Sequence, residues 1–270
     1  MRRLTLLLIL PVLLGLLGFG RAESLPAGDW LARIEASHTL RVCIWPDYYG
    51  ISFRNPKTNE FSGIDVDMAR ALASDLGRGI QVQFVDSSFA RLIDDLTTDR
   101  CDIAMFAIGI TPQRAEKLRF TAPHLQSDIY AVTTRSNRRI QQWADIDQPG
   151  VVVAVAKGTL HEPLMRQKLQ QAQLSVLDTP FAREQEVESG RADVFMTDYP
   201  YSQRMLANTD WARLVAPNPT YHITPYAYAL APGDDRWHGR VEQFVAAVKK
   251  DGRLLEAAKR YRLEAMVRTD

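Results

Sequence analysis

Short apolar runs alternate along the chain with longer stretches whose apolar residues recur at helical spacing. Trp30 to His38 has that helical spacing and leads into LRVCIW, residues 40–45, a strand-like run. The turn PDYYG at 46–50 then presents Asp47, Tyr48 and Tyr49. From about Asp65 a helix is expected, with Val66, Ala69, Leu72, Ala73 and Leu76 on its apolar face and Gly77 ending it. A strand over 81–85 follows, then a helix over 89–98 carrying Phe89, Leu92, Ile93 and Leu96 on one stripe, with Ser88 as its cap. The run from Ile103 to Ile110 is apolar throughout, as in a strand buried on both faces. This β-α-β-α-β order predicts a parallel sheet flanked by helices.

The second half repeats the plan. RCDIAM at 100–105 is echoed by RADVFM at 191–196, each after an amphipathic stretch and each running into polar residues. Between the echoes, SDIYAVTT at 127–134 leaves the first unit and Trp143–Ile146 reads as one helical turn. GVVVAVAKGTL at 150–160 is a strand entering a helix start, where Thr159 and Glu162 have capping-box spacing. Strands are expected at 174–177, 193–198 and 226–232, the last returning to the first unit, and a helix over 240–266 broken at Gly252. Two crossings between two α/β units make a hinge.

Candidate chemistry collects where Gly109, Thr111 and Pro112 end the apolar strand and Arg114 follows. In open α/β sheets ligands bind at that strand end, and a guanidinium suits a carboxylate or phosphate; a surface ion pair with Glu116 is the alternative. Gly158 and Thr159, between a strand and a helix start, offer backbone N–H groups to an anion. The five histidines are scattered, with no zinc spacing, glycine-rich phosphate loop or Ser-His-Asp order, so no cofactor is expected. His161 is assigned a surface or capping role.

Residues 1–22 place Arg2 and Arg3 before an apolar stretch from Leu6 to Phe19 and small residues around Ala22, the pattern of a cleaved secretory signal. Its removal lowers the basic residues from 33 to 30 against 32 acids, a net charge of about −2, and leaves no basic patch for nucleic acid. The expected product is a soluble periplasmic monomer of two modest domains. Cys43 and Cys101 are read as either a disulfide or two buried thiols in neighbouring strands.

The segments ITPQR at 110–114, FTAPHL at 120–125, KGT at 157–159, GRADVFMTD at 190–198 and GIDVDMARAL at 63–72 resemble the family 3 periplasmic solute-binding proteins, which deliver amino acids to ABC transporters. The resemblance spans roughly 35–265. It implies a two-lobe type II α/β fold with a two-strand hinge: lobe 1 from 35–128 and 227–270, lobe 2 from 129–226. It further implies that Arg114 binds the α-carboxylate of an L-amino acid, Asp198 its ammonium group, and Thr111, Gly109 and the Gly158–Thr159 turn nearby atoms, with an ABC permease as partner. Basic-ligand relatives carry an acid where this chain has Trp45. With Tyr48, Phe89, Phe106 and Ala107 beside it, an apolar or aromatic pocket is expected, Asp47 being the main polar exception.

An enzymatic branch, the cyclohexadienyl dehydratases, carries a glutamate three residues after the residue matching Asp198; here Tyr201 stands there, with Glu184 or Tyr201 itself as possible substitutes. A periplasmic sensor or accessory module is the third reading.

Overall fold

A computed structural model describes residues 29–268. The expected signal segment lies outside the described residues. Two sheets form the frame. The first runs Gln81–Asp86, Thr39–Ile44, Ile103–Gly109, Thr224–Leu230 and Arg119–Phe120, with Leu125–Ser127 also paired to the returning strand. The second runs Gln173–Leu177, Val152–Ala156, Val194–Asp198, Ile129–Thr134 and Ala212–Val215. In each, the three earliest strands of the βαβαβ unit are parallel and the remaining neighbours antiparallel. The same strand order recurs because the same sequence plan recurs.

The echoed aspartates explain part of that recurrence. Asp102 accepts the Arg41 N–H at 2.7 Å and returns its own N–H to the Arg41 carbonyl at 2.8 Å. Asp193 accepts the Val152 N–H at 2.8 Å and returns its own to the Val152 carbonyl at 2.9 Å. Each therefore pins the first strand of its sheet to the third, satisfying backbone groups that the ladder would otherwise leave open. In the first sheet the join is also covalent: Cys43 and Cys101 form a disulfide with Cα atoms 5.6 Å apart.

Helices cover the sheets with the stripes the sequence predicts. Ile64–Leu76 buries Val66, Ala69, Leu72 and Ala73, and Asp235–Lys250 buries Trp237, Val241, Phe244, Val245 and Val248. The larger of these, such as Leu72, Val241 and Phe244, each contribute about 1.5–3 kcal/mol when taken from water. The last long helix begins ahead of the expected Arg240, because the Asp234 carboxylate accepts the Trp237 N–H at 2.8 Å and caps it there. The expected helix over 89–98 is confined to Leu92–Thr97. Ser88 accepts the Arg91 N–H at 3.3 Å, closing a turn that leaves Phe89 outside the helix.

The chain crosses between sheets at residues 127–129 and again at 215–224, so the returning strand starts at Thr224, ahead of the expected residue 226. Asp128 fastens the crossings together. Its buried carboxylate accepts N–H groups from Ile129 at 2.7 Å, Tyr221 at 3.0 Å and His222 at 2.7 Å. Among the described residues, no helix is long and apolar enough to cross a membrane.

Candidate functional site

The carboxyl ends of the central strands face each other across a small, partly open cavity. Trp45, Tyr48, Phe89, Ala107 and Tyr226 line it from the first sheet's side. Thr159, Leu160, His161, Arg183, Asp198 and Tyr201 line it from the second, with Pro180 and Thr197. The walls are mostly apolar and aromatic with a few inward polar groups, the usual composition of a small-molecule site.

Asp198 ends the strand Val194–Asp198 and caps the helix Tyr199–Asn208, accepting the Tyr201 N–H on Oδ1 at 3.2 Å. Its Oδ2 accepts the Tyr226 hydroxyl at 3.0 Å and, more closely, that of Tyr48. Burial pushes the carboxyl's pKa up, against the hydrogen bonds from both tyrosines and the Tyr201 N–H and the charge of Arg183. The tyrosines are pushed well above their ordinary values by burial and by that carboxylate, so they keep their protons and donate. Tyr48 thus reaches across the cleft to Asp198, a role beyond the aromatic wall expected of it.

Arg114 sits in the short helix Pro112–Ala115, whose first turn is capped by the Thr111 hydroxyl accepting the Arg114 N–H at 3.3 Å. Its guanidinium donates to the Gly109 carbonyl at 2.8 Å and, across the cleft, to the Gly158 carbonyl at 3.0 Å. The Phe89 ring lies 5.5 Å from its Cζ. Burial lowers its pKa to about 10, which leaves it cationic at neutral pH. It lies against the Phe89 ring without lining the cavity itself, and pairs with no carboxylate among the described residues. Thr111 opens onto a neighbouring recess with Pro112, Leu160 and His222 instead of the cavity.

The aromatic wall is continuous. Trp45 lies 5.0 Å from Tyr48 and 5.5 Å from Phe89 by ring centroids, and stacks on Tyr201 of the opposite side at 6.0 Å and 6°. Phe106 is fully buried behind Phe89, at 5.1 Å, and supports the wall without lining it. Ala107 does line it, with φ at 48°, and its N–H goes to the buried Asp65 carboxylate at 2.7 Å. Opposite it the register of Thr224–Leu230 shifts between Ala227 and Ala229, a bulge that turns residue 107 inward.

Three sequence expectations change here. The Thr159–Glu162 capping box does not form: Thr159 donates its hydroxyl to the Ala156 carbonyl at 2.7 Å, while Glu162 accepts the Gly158 N–H at 3.0 Å. With the helix starting at His161, that side chain turns inward, so His161 is a buried wall residue and not a surface cap. Burial and the charge of Arg183 hold its pKa at about 3, a neutral imidazole. Asp47 lies outside the cavity, half-exposed, as an ion pair with Arg204 at 3.2 Å that clasps the rim.

Sequence reasoning missed Arg183 and Tyr226. Arg183 is buried at the same inward face of Pro180–Glu188 as Val187, so the detectable signal was a cation standing on an apolar helical stripe. Tyr226 was legible as strand but not as a hydrogen-bond donor, because its partner lies 28 residues away.

Comparison with known proteins fits this arrangement. The model of the bacterial extracellular solute-binding proteins, family 3, matches residues 40–264. The chain belongs to that family. As a family 3 solute-binding protein it is 32% identical over 225 residues to the cyclohexadienyl dehydratase of Pseudomonas aeruginosa, covering 83% of this chain and 82% of the relative. It is 26% identical over 231 residues to the L-cystine-binding protein TcyJ of Escherichia coli K12, with the same coverage of 83% and 82%. Its fold superposes on an ancestral amino acid-binding protein that is a precursor of cyclohexadienyl dehydratase, with a TM-score of 0.76 and 30% identity over 86% of this chain and 98% of that one.

The close approach of the two halves makes Gly158 a sensitive position in this family 3 protein. Its φ is 76°, and a Cβ there would come 2.7 Å from the Ala90 Cα of the other side. Gly158→Ala is expected to hold the halves apart and weaken ligand capture by roughly tenfold, the cost of about 1–2 kcal/mol of strain. Small-angle scattering of the liganded variant checks it, through a larger radius than the parent's.

Proposed function

We propose that this chain captures an amino acid with an aromatic or apolar side chain between its two halves, for delivery to the membrane permease of an ABC importer. The observation that carries this reading is the cavity itself: aromatic walls from Trp45, Tyr48, Phe89 and Tyr201, with the Arg114 guanidinium against the Phe89 ring. Arg114 takes the α-carboxylate, displacing the Gly158 carbonyl from one of its donors. Asp198 and its two tyrosines face the amino group. A ligand touching both halves favours their closure by whatever extra contact the closed form gives it.

Calorimetry or thermal shift on the mature chain, after removal of endogenous ligand by unfolding and refolding, should find an amino acid bound at micromolar Kd or tighter. Absence of binding across the proteinogenic set would remove the reading.

A second reading, dehydration of a cyclohexadienyl acid, rests on the identity to the dehydratase and on the Tyr201 hydroxyl, which lines the cavity and donates to Glu184. Such a step needs an acid for the departing hydroxyl. Burial pushes the Tyr201 pKa far up, and His161 at about 3 carries no proton to give at neutral pH. Binding is therefore the better-supported function. Appearance of the aromatic product's absorbance with prephenate or arogenate would reverse that order.

A further inference from the structure

We infer that Arg183 receives a second anionic group of the ligand, which makes the captured molecule a dicarboxylic amino or oxo acid. This rests on the cavity being a ligand site, as proposed above, and replaces the uncharged side chain of that reading with one that carries a second carboxylate.

Arg183 is 2% exposed and lines the cavity wall. Its Nη1 donates to the Met196 carbonyl at 3.0 Å, while Nε and Nη2 make no hydrogen bond. The guanidinium plane is covered by Phe195, 4.4 Å from Cζ, and by Tyr201, 4.8 Å from Cζ. With both neighbours occupying the ring contacts and Nη1 committed, what remains is the Nε–Nη2 edge. That edge carries two parallel donors, the fork that a carboxylate meets with both oxygens. Buried polar atoms are nearly always paired, and an unpaired buried cation is costly.

The charges of the site agree. Arg114 and Arg183 are both buried without a carboxylate bonded to them among the described residues, whereas the Asp198 carboxylate is occupied by Tyr48, Tyr226 and the Tyr201 N–H. Glu184 stands nearby but is bonded to the Tyr201 hydroxyl, so among the described residues neither guanidinium has a carboxylate of its own. A ligand with one carboxylate on Arg114 and another on Arg183 supplies both. Neutral His161, near Arg183 and the Thr197 backbone, lines the same side of the cavity.

The test compares matched acid and amide ligands by calorimetry on the refolded mature chain: L-glutamate with L-glutamine, 4-carboxy-L-phenylalanine with 4-carbamoyl-L-phenylalanine, and the 2-oxo counterparts of the acids. The acid of at least one pair should bind tighter than its amide by at least about tenfold, the scale of one charge-assisted hydrogen bond. Arg183→Gln should bring that ratio near one and Arg183→Lys should keep part of it, with melting temperatures and circular dichroism reporting that each variant folds. Equal binding of acid and amide, tighter binding of the amide, or a ratio unchanged in a folded Arg183→Gln would overturn the assignment and leave amino-acid capture standing. Binding of the oxo diacids without the amino acids would sustain it and sink amino-acid capture. No binding by any member would sink both.

Discussion

Arg114→Ala is expected to weaken ligand capture by roughly a hundredfold or more, since a bidentate carboxylate pair combines two charge-assisted bonds of about 1.5–3 kcal/mol each. Without ligand the same guanidinium donates to the Gly158 carbonyl of the opposite side, the contact that the α-carboxylate replaces on binding. The fold itself should tolerate the change, because burial lowers the Arg114 pKa to about 10 and the cation is therefore not favoured by its surroundings in the absence of an anion. Calorimetric titration showing lost binding with a melting temperature close to the parent's is the expected pair of results. Arg114→Lys keeps the charge but loses the fork, and should recover only a minor part of the affinity. If Arg114→Ala bound as the parent does, the α-carboxylate would have to be seated elsewhere.

Removing the Cys43–Cys101 disulfide by a double serine substitution is expected to destabilise the chain by about 4 kcal/mol, the loop-closure figure for a link of this span. The two cysteines are 58 residues apart in sequence, and the bond ties the strand Thr39–Ile44 to the start of the central strand Ile103–Gly109. For a chain of this size that corresponds to a fall in melting temperature of about 10 °C. Differential scanning calorimetry of oxidised, reduced and substituted protein measures it. A fall of under two degrees would mean that the strand pairing and the Asp102 hydrogen bonds already hold this corner.

Much of the architecture was legible in the sequence because it depends on local repetition. The RCDIAM and RADVFM segments are alike, and their aspartates make the same exchange with the first strand of each sheet. The helical stripes of Ile64–Leu76 and Asp235–Lys250 are likewise read off spacing alone. What could not be read depends on direction and on distant partners. His161, near a helix start beside the expected cleft, was given a surface or capping role, but its side chain is buried in the cavity wall, a direction that spacing alone does not show. Arg183 sat on a helix whose other charged residues are half-buried or exposed, and only its alignment with Val187 distinguished it. The engagement of Asp198 by Tyr48 and Tyr226 joins three segments, and no local pattern announces such a meeting.

Trp45 gives the molecule a consequence of another kind. Its indole belongs to the first sheet and lies parallel to the Tyr201 ring of the second at 6.0 Å, at the seam where the halves meet. Trp237, by contrast, is enclosed in the core with its indole N–H fixed on the Asp102 carbonyl at 2.9 Å. Any separation of the halves takes the Tyr201 ring away from the Trp45 indole and lets water in, whereas Trp237 keeps its surroundings. The chain thus contains its own fluorescent gauge of closure, and Trp45→Phe identifies the signal that belongs to it.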